Sequence, residues 1–357
     1  MEIGIYIHIP FCIRKCHYCS FNSVENQQGL IEPYISALLK EIAKRSSDIK
    51  QYTTKNIYIG GGTPTILKSL HLNMILDNCR RYFNLQDNIE ITLEANPKTV
   101  DKDKLLELKS AGFNRISIGI QSFNDDELKL LGRQHNSDDA ISAFKAARCA
   151  NFNNIGIDLI YGIPYQKMED WEDTLGKAIK LDPEHISIYS LSIEKGALFD
   201  KYVAEDKIFL LSDDEAADMY NTAYTRLKEA GYIPYEISNF SKLGYFSRHN
   251  HIYWNNGEYI GIGAGAYSYI NKNRSWNISD ISKYIEMNGD AIEGQEHLKA
   301  GQILAETIMV RLRTIDGIDI GGLNSMFKID FLRQYKEKIS KLMDAGLIEI
   351  ADNHLKL

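Results

Sequence analysis

Short runs rich in isoleucine recur along the first half of the chain, each closed by glycine or polar residues and followed by a stretch of helical period. The runs are Gly4–Ile9, Asn56–Ile59, Ile89–Glu94, Arg115–Ile120, Ile155–Leu159 and His185–Tyr189. Between them, apolar groups such as Leu70, Met74 and Ile75, or Leu105, Leu106 and Leu108, fall at helical spacing. Asn124 with Glu127 and Ser212 with Glu215 read as capping boxes at helix starts. Six strands alternating with helices predict right-handed βα units and a parallel sheet. Cys12, Gly61, Glu94, Gln121, Asp158 and Ser190 lie at or just past C-terminal strand ends. In a parallel barrel those ends form one face and carry the site, whereas a doubly wound sheet would gather them at one crevice. An α/β fold with a partial TIM-type parallel β/α barrel is expected.

After residue 231 the rhythm changes. Tyr232–Ile237, Tyr253–Trp254 and Tyr259–Tyr269 read as short aromatic-rich strands. A helix around Phe331–Ala345, then Gly346 and strands Leu347–Ile350 and His354–Leu357, suggest a small winged-helix-like α+β module. The expected division is 1–275 for the barrel with its appended strands and 276–357 for the C-terminal domain. The 357 residues carry 41 Lys+Arg against 48 Asp+Glu, net −7, so a general nucleic-acid binder is disfavoured. No 18 apolar residues run together and no leader is visible, so a cytoplasmic protein is expected, meeting membranes only through protein partners. Five cysteines are too few for a secreted disulfide scaffold.

Three of those cysteines crowd together as Cys12, Cys16 and Cys19, a Cys-x3-Cys-x2-Cys loop after the first strand. Three thiolates can hold three corners of a [4Fe–4S] cube and leave one iron open to another molecule. Two other readings stand beside it: a Cys16/Cys19 dithiol redox pair, or a zinc site completed by His8 or His17. Gly60–Thr65, with three glycines before Thr63, lets backbone groups approach a charged amino-acid moiety. Glu94, Gln121 and Asp158 suit ribose hydroxyls and an ammonium group, and Arg133 suits a carboxylate.

The cysteine triplet with Tyr18 before its last member resembles the radical S-adenosylmethionine superfamily. Tyr6–Cys12, Gly60–Thr65, Glu94, Gly119–Phe123, Leu131–Arg133, Asp158–Pro164 and Gly261–Tyr267 together resemble its oxygen-independent coproporphyrinogen dehydrogenase (HemN-like) branch. That resemblance implies cluster ligation by Cys12, Cys16 and Cys19. It also implies an S-adenosylmethionine site lined by Tyr6, Tyr18, Gly61, Gly62, Thr63, Glu94, Gln121, Arg133 and Asp158.

Two features depart from the dehydrogenase: Phe21 stands where that enzyme has a fourth cysteine, and the chain begins almost at the first strand. Both match the HemW-type haem chaperones of the branch. Their mark, His-Asn-x-x-Tyr-Trp, is His249, Asn250, Tyr253 and Trp254 here. The resemblance implies haem contact there, His249 being the first ligand candidate and His251 the second, since imidazole is a natural axial ligand and flat aromatics suit a macrocycle. The competing reading has His249 and Asn250 stabilising a loop while the aromatics fill the barrel end. His71, His185, His297 and His354 read as surface or satisfied core residues, and His8 as a hydrogen-bonding neighbour of the cluster loop. Cys79 and Cys149 read as buried small hydrophobes.

The leading expectation is a cluster- and S-adenosylmethionine-binding haem chaperone. Its partners would be haem, haem-recipient (respiratory) proteins and an electron donor, with a homodimer allowed. The alternatives are oxidative decarboxylation of coproporphyrinogen III in porphyrin biosynthesis, and a zinc or dithiol barrel. No residue is assigned a certain catalytic role.

Overall fold

A computed structural model describes residues 1–357. The six expected strands are β1 (Glu2–Ile9), β2 (Thr53–Gly61), β3 (Leu85–Ala95), β4 (Arg115–Gln121), β5 (Ile155–Tyr161) and β6 (His185–Ser190). They lie side by side in chain order, each parallel to the next. Helices α1 (Ile31–Arg45), α2 (Ser69–Tyr82), α3 (Lys102–Ala111), α4 (Ser137–Cys149), α5 (Met168–Leu181) and α6 (Asp213–Glu229) follow them in turn. A doubly wound sheet would reverse its strand order; this one winds one way, as a barrel does.

The barrel is open. On one side β6 pairs with the antiparallel β7 (Asn239–Ser241) and then Ile233–Pro234. On the other, β8 (Tyr259–Ile262) returns to lie parallel to β1, a pairing the sequence did not disclose. The sheet continues antiparallel through β9 (Tyr267–Ile270), β10 (Asn273–Asn277) and β11 (Ile292–His297), giving twelve strands. A boundary at 275/276 would therefore cut through β10. The second hydrophobic cluster, built around Leu304, Ile318, Leu323, Phe331 and Leu355, begins only beyond β11.

That module has the winged-helix-like form: Ile318–Asp319, Glu349–Ala351 and His354–Lys356 make a three-stranded sheet beside short helices. The helix expected over Phe331–Ala345 is broken at Tyr335 into Phe331–Gln334 and Lys336–Asp344, and the first strand of the hairpin starts at Glu349. Only Ile233–Pro234 of the Tyr232–Ile237 run is extended, on the sheet edge where a proline lacking its N–H is tolerated. Tyr253–Trp254 is not a strand. It ends helix α7 (Arg248–Trp254), whose start is capped by Ser247 accepting from the Asn250 amide. Ser212 forms the full capping box with Glu215, but at Asn124 only the forward half exists, because Glu127 turns to Ser122 and Gln166. Cys79 is buried as expected; Cys149, the last residue of α4, is exposed, since that helix's buried face is Ala140, Ala143, Phe144 and Ala147.

Glu41 of α1 holds the appended strands to the barrel. Its carboxylate accepts from the Gly263 amide (2.9 Å), Tyr284 Oη (2.6 Å) and Asn277 Nδ2 (2.6 Å), and burial pushes its pKa up. No helix is long and apolar enough to cross a membrane.

Candidate functional site

The parallel strands share one pattern. Ile116, Ile118 and Ile120 of β4 pack outward against the helices, while Arg115, Ser117, Gly119 and Gln121 alternate with them on the inner face. Gly156 and Asp158 of β5, and His185, Ser187 and Tyr189 of β6, do the same. An ordinary barrel fills its interior with branched apolar side chains. Here polar residues and glycines line it, leaving a cavity of about 430 Å³ that runs from the cysteine loop down to Arg115 and His185.

Cys12, Cys16, Tyr18 and Cys19 line its mouth, with Phe21 exposed beside them. The loop is tied at both ends. His17 Nδ1 donates to the Leu130 carbonyl (2.8 Å), which fixes the orientation of its ring. His8 accepts from the Tyr6 hydroxyl at Nδ1 (2.9 Å) and donates from Nε2 to the Asn22 carbonyl (2.7 Å), the supporting role expected of it. Thr63 Oγ1 donates to Cys12 Sγ (3.7 Å) and Arg133 Nη1 to Cys16 Sγ (3.4 Å). Burial pushes the Cys12 and Cys19 thiols up, and the neighbouring sulfurs add to the rise. Thiolates crowded this way need a positive partner, and an iron–sulfur core supplies one, so the donor set fits the cluster. No three His, Cys, Asp or Glu side chains converge as a cage for one ion.

Gly61 (φ +116°) and Gly62 bring backbone to the cavity wall. A methyl group on Gly62 would stand 2.8 Å from the Phe11 carbonyl oxygen and 3.0 Å from Cys12 Sγ, so only glycine fits. Glu94 accepts from Tyr58 Oη (2.6 Å) and the Gly61 amide (3.1 Å); burial raises its pKa from 4.5 to about 7. Ser117 Oγ lies 3.3 Å from both Asp158 oxygens, and burial raises that carboxyl too. Gln121 adopts φ +72° at a bulge against β5, and its Oε1 is buried without a partner. Arg133 donates to the Gly119 carbonyl while its Nε is also unpartnered. Buried polar atoms left open in this way point at a polar ligand.

Eleven of the twelve cluster- and cofactor-site positions expected near the mouth thus meet in one cavity. The twelfth, Tyr6, does not line it: its ring lies against those of Tyr58 and His249, which also stack on each other (4.9 Å between centroids). Thr63 and Tyr18 do line it. Of the His-Asn-x-x-Tyr-Trp motif, Asn250 alone reaches the cavity. His249 is 2% exposed, with Nδ1 on Asn56 Oδ1 (2.7 Å) and Nε2 on Tyr253 Oη (2.9 Å). Burial lowers its pKa to about 3. Both nitrogens being engaged, it ties α7 to β2. His251 makes no ring hydrogen bond and stacks on Tyr235 (5.4 Å between ring centroids). Trp254 lies under the Arg313 guanidinium, 4.8 Å from its ring centroid. His71 and His185 are buried and paired, with Glu32 and Tyr235 respectively.

Arg115, Ser117, His185, Ser187 and Tyr58 went unassigned from sequence. The strict alternation of Arg115, Ser117, Gly119 and Gln121 with isoleucines was the available signal.

Residues 6–178 match the Radical SAM superfamily and residues 298–357 the HemN C-terminal domain. The fold is that of coproporphyrinogen III oxidase (HemN) from Escherichia coli, a radical SAM enzyme. Its TM-score is 0.86, at 22% identity, over 100% of this chain and 86% of that one. With the cysteine loop at the barrel mouth, these define a protein of the radical SAM superfamily.

Two relatives narrow the class. Heme chaperone HemW of Bacillus subtilis is 34% identical over 98% of this chain and 91% of its own. Heme chaperone HemW of Haemophilus influenzae is 41% identical over 74% of this chain and 70% of its own. The chain belongs to the HemW family.

Proposed function

We propose that this protein is a haem chaperone that carries a [4Fe–4S] cluster and S-adenosylmethionine and hands haem to haem-dependent proteins. The observation that carries the reading is the likeness to HemW over nearly the full chain, with Phe21 in place of a fourth cysteine. Cys12, Cys16 and Cys19 would hold the cluster. When bound, the cluster supplies an open iron and one electron to the cofactor lying beside it. Arg133 and the Gly61–Gly62 backbone orient the cofactor's amino-acid end. Glu94, Gln121 and Asp158 accept or donate to its ribose and ammonium groups. Tyr18 closes the cavity from the loop side. Haem would be met around α7, with His251 as the axial ligand, because His249 is committed to Asn56 and Tyr253.

Titration with haem of the wild type, His251→Ala and His249→Ala tests this by absorption spectroscopy. Loss of the axial-ligand signature in His251→Ala is the expected result. A wild type that binds no haem would overturn the reading. Vinyl-bearing product from coproporphyrinogen III, reductant and S-adenosylmethionine would replace it by the dehydrogenase. Anaerobic reconstitution tests the cluster independently through iron and sulfide content.

A further inference from the structure

The twelve-stranded sheet has two edges, and they are finished differently. At one, the last strand is the two-residue Ile233–Pro234, short and lacking one N–H. At the other, β11 is six residues long, contains no proline or lysine, and is exposed at every position except half-buried Gly294. A long open edge of this kind invites another strand.

The ladder fixes which groups of β11 are open. β10 and β11 are antiparallel, with Asn273 opposite His297, Ser275 opposite Gln295 and Trp276 opposite Gly294. Just past the strand, the Leu298 amide donates to the Lys272 carbonyl (2.8 Å). Successive residues turn their N–H and C=O groups to alternate sides, so Leu298, Glu296 and Gly294 turn theirs to β10. Gln295 and His297 turn theirs outward, where no strand lies. The side chains add a pattern. Glu296 is neutralised by Arg274 (3.0 Å). Glu293 falls where the register slips, has no opposite residue on β10 and closes no ion pair. His297, four residues on, is held by Asn273 through Nδ1 (2.9 Å) and has no partner at Nε2.

We propose that β11 is a contact between two copies of this chain, joined edge to edge across a two-fold axis at Gln295, so that one sheet runs on into the other. In an antiparallel pair centred there, Gln295 meets its own counterpart through the outward N–H and C=O groups. Glu293 of each copy then stands opposite His297 of the other, a complementary pair made twice. The next register, centred on Glu296, would set that carboxylate against its own counterpart. A second copy suits this edge better than an unrelated strand because the complementarity lies within β11 itself. The contact uses neither the cavity nor α7, so it goes beyond the chaperone reading and stands apart from it.

Sedimentation equilibrium of the full-length, cluster-loaded protein under oxygen exclusion tests it. A wild-type dimer is expected, with association weakened about tenfold or more in Glu293→Lys, since both cross-strand pairs are lost together. The double variant Glu293→Lys with His297→Glu exchanges the two sides and restores association. Gln295→Pro, which removes an outward N–H but no bond to β10, gives a monomer. A monomeric wild type, wild-type association in Glu293→Lys or Gln295→Pro, or no recovery in the double variant would overturn the proposal. If Gln295→Pro does not fold, the charge exchange decides. Haem is absent from the experiment, so its failure leaves the chaperone reading standing, and a protein that binds no haem leaves the contact standing.

Discussion

Glu94→Gln separates the stability of the barrel from its ligand chemistry. The carboxyl faces the cavity from the end of β3, and burial raises its pKa from 4.5 to about 7. The folded state therefore holds more protons than the unfolded chain between pH 4.5 and 7. Stability from this group falls as pH rises through that window, and the cost is complete above pH 7. A rise of that size corresponds to about 3 kcal/mol; water in the cavity screens part of it, so between about 1 and 3 kcal/mol is expected. The glutamine keeps the shape without the charge and can still accept from Tyr58 or Gly61. Ligand-free Glu94→Gln should be more stable than wild type at pH 8, about equal at pH 4.5, and lack the slope between. Urea denaturation of both chains at a series of pH values measures this. S-adenosylmethionine binding at pH 8 should move the other way, weaker by about 10- to 100-fold, because an ionised acceptor for hydroxyl groups is gone. If the variant is less stable at pH 8, or keeps the wild-type slope, the burial argument is wrong.

Three further outcomes follow from the packing. Gly261→Ala places a methyl group 2.0 Å from the Tyr267 carbonyl oxygen, so the turn between β8 and β9 must shift; a loss of about 4 kcal/mol or more in thermal or urea unfolding is expected. Glu41→Ala leaves the Gly263 amide, Asn277 and Tyr284 without their shared acceptor and should cost about 3–5 kcal/mol, read by the same unfolding curves. In the native protein Cys149 should react with a thiol reagent while Cys79, fully buried with its pKa raised to about 12, stays unmodified, as peptide mass analysis will show.

The order of the six strands was legible because each apolar run is bounded by glycine or polar residues at the end where function gathers. Glu94, Gln121 and Asp158 could be found for the same reason. Arg115 and His185 could not be found by that route, since they stand at the opposite, N-terminal ends of β4 and β6 and only the two-residue alternation places them inward. The pairing of β8 with β1 joins segments about 255 residues apart by the numbering, and nothing local encodes it. His249 illustrates a different gap. A histidine four residues before a tyrosine on a helix reaches its hydroxyl, so the motif's spacing already favours an internal bond once the segment is helical.

The late return of β8 to the flank of β1 also bears on biosynthesis. β1 is synthesised before β8, and one of its hydrogen-bonding edges has no neighbour until the roughly 255 residues between Gly4 and Tyr259 have followed it. Until then that edge is open to mispairing, and the cysteine loop that follows it lacks the support that Gly263, Asn22 and Glu41 later provide together. The support of the cysteine loop therefore depends on contacts that span 222 to 242 residues of the chain.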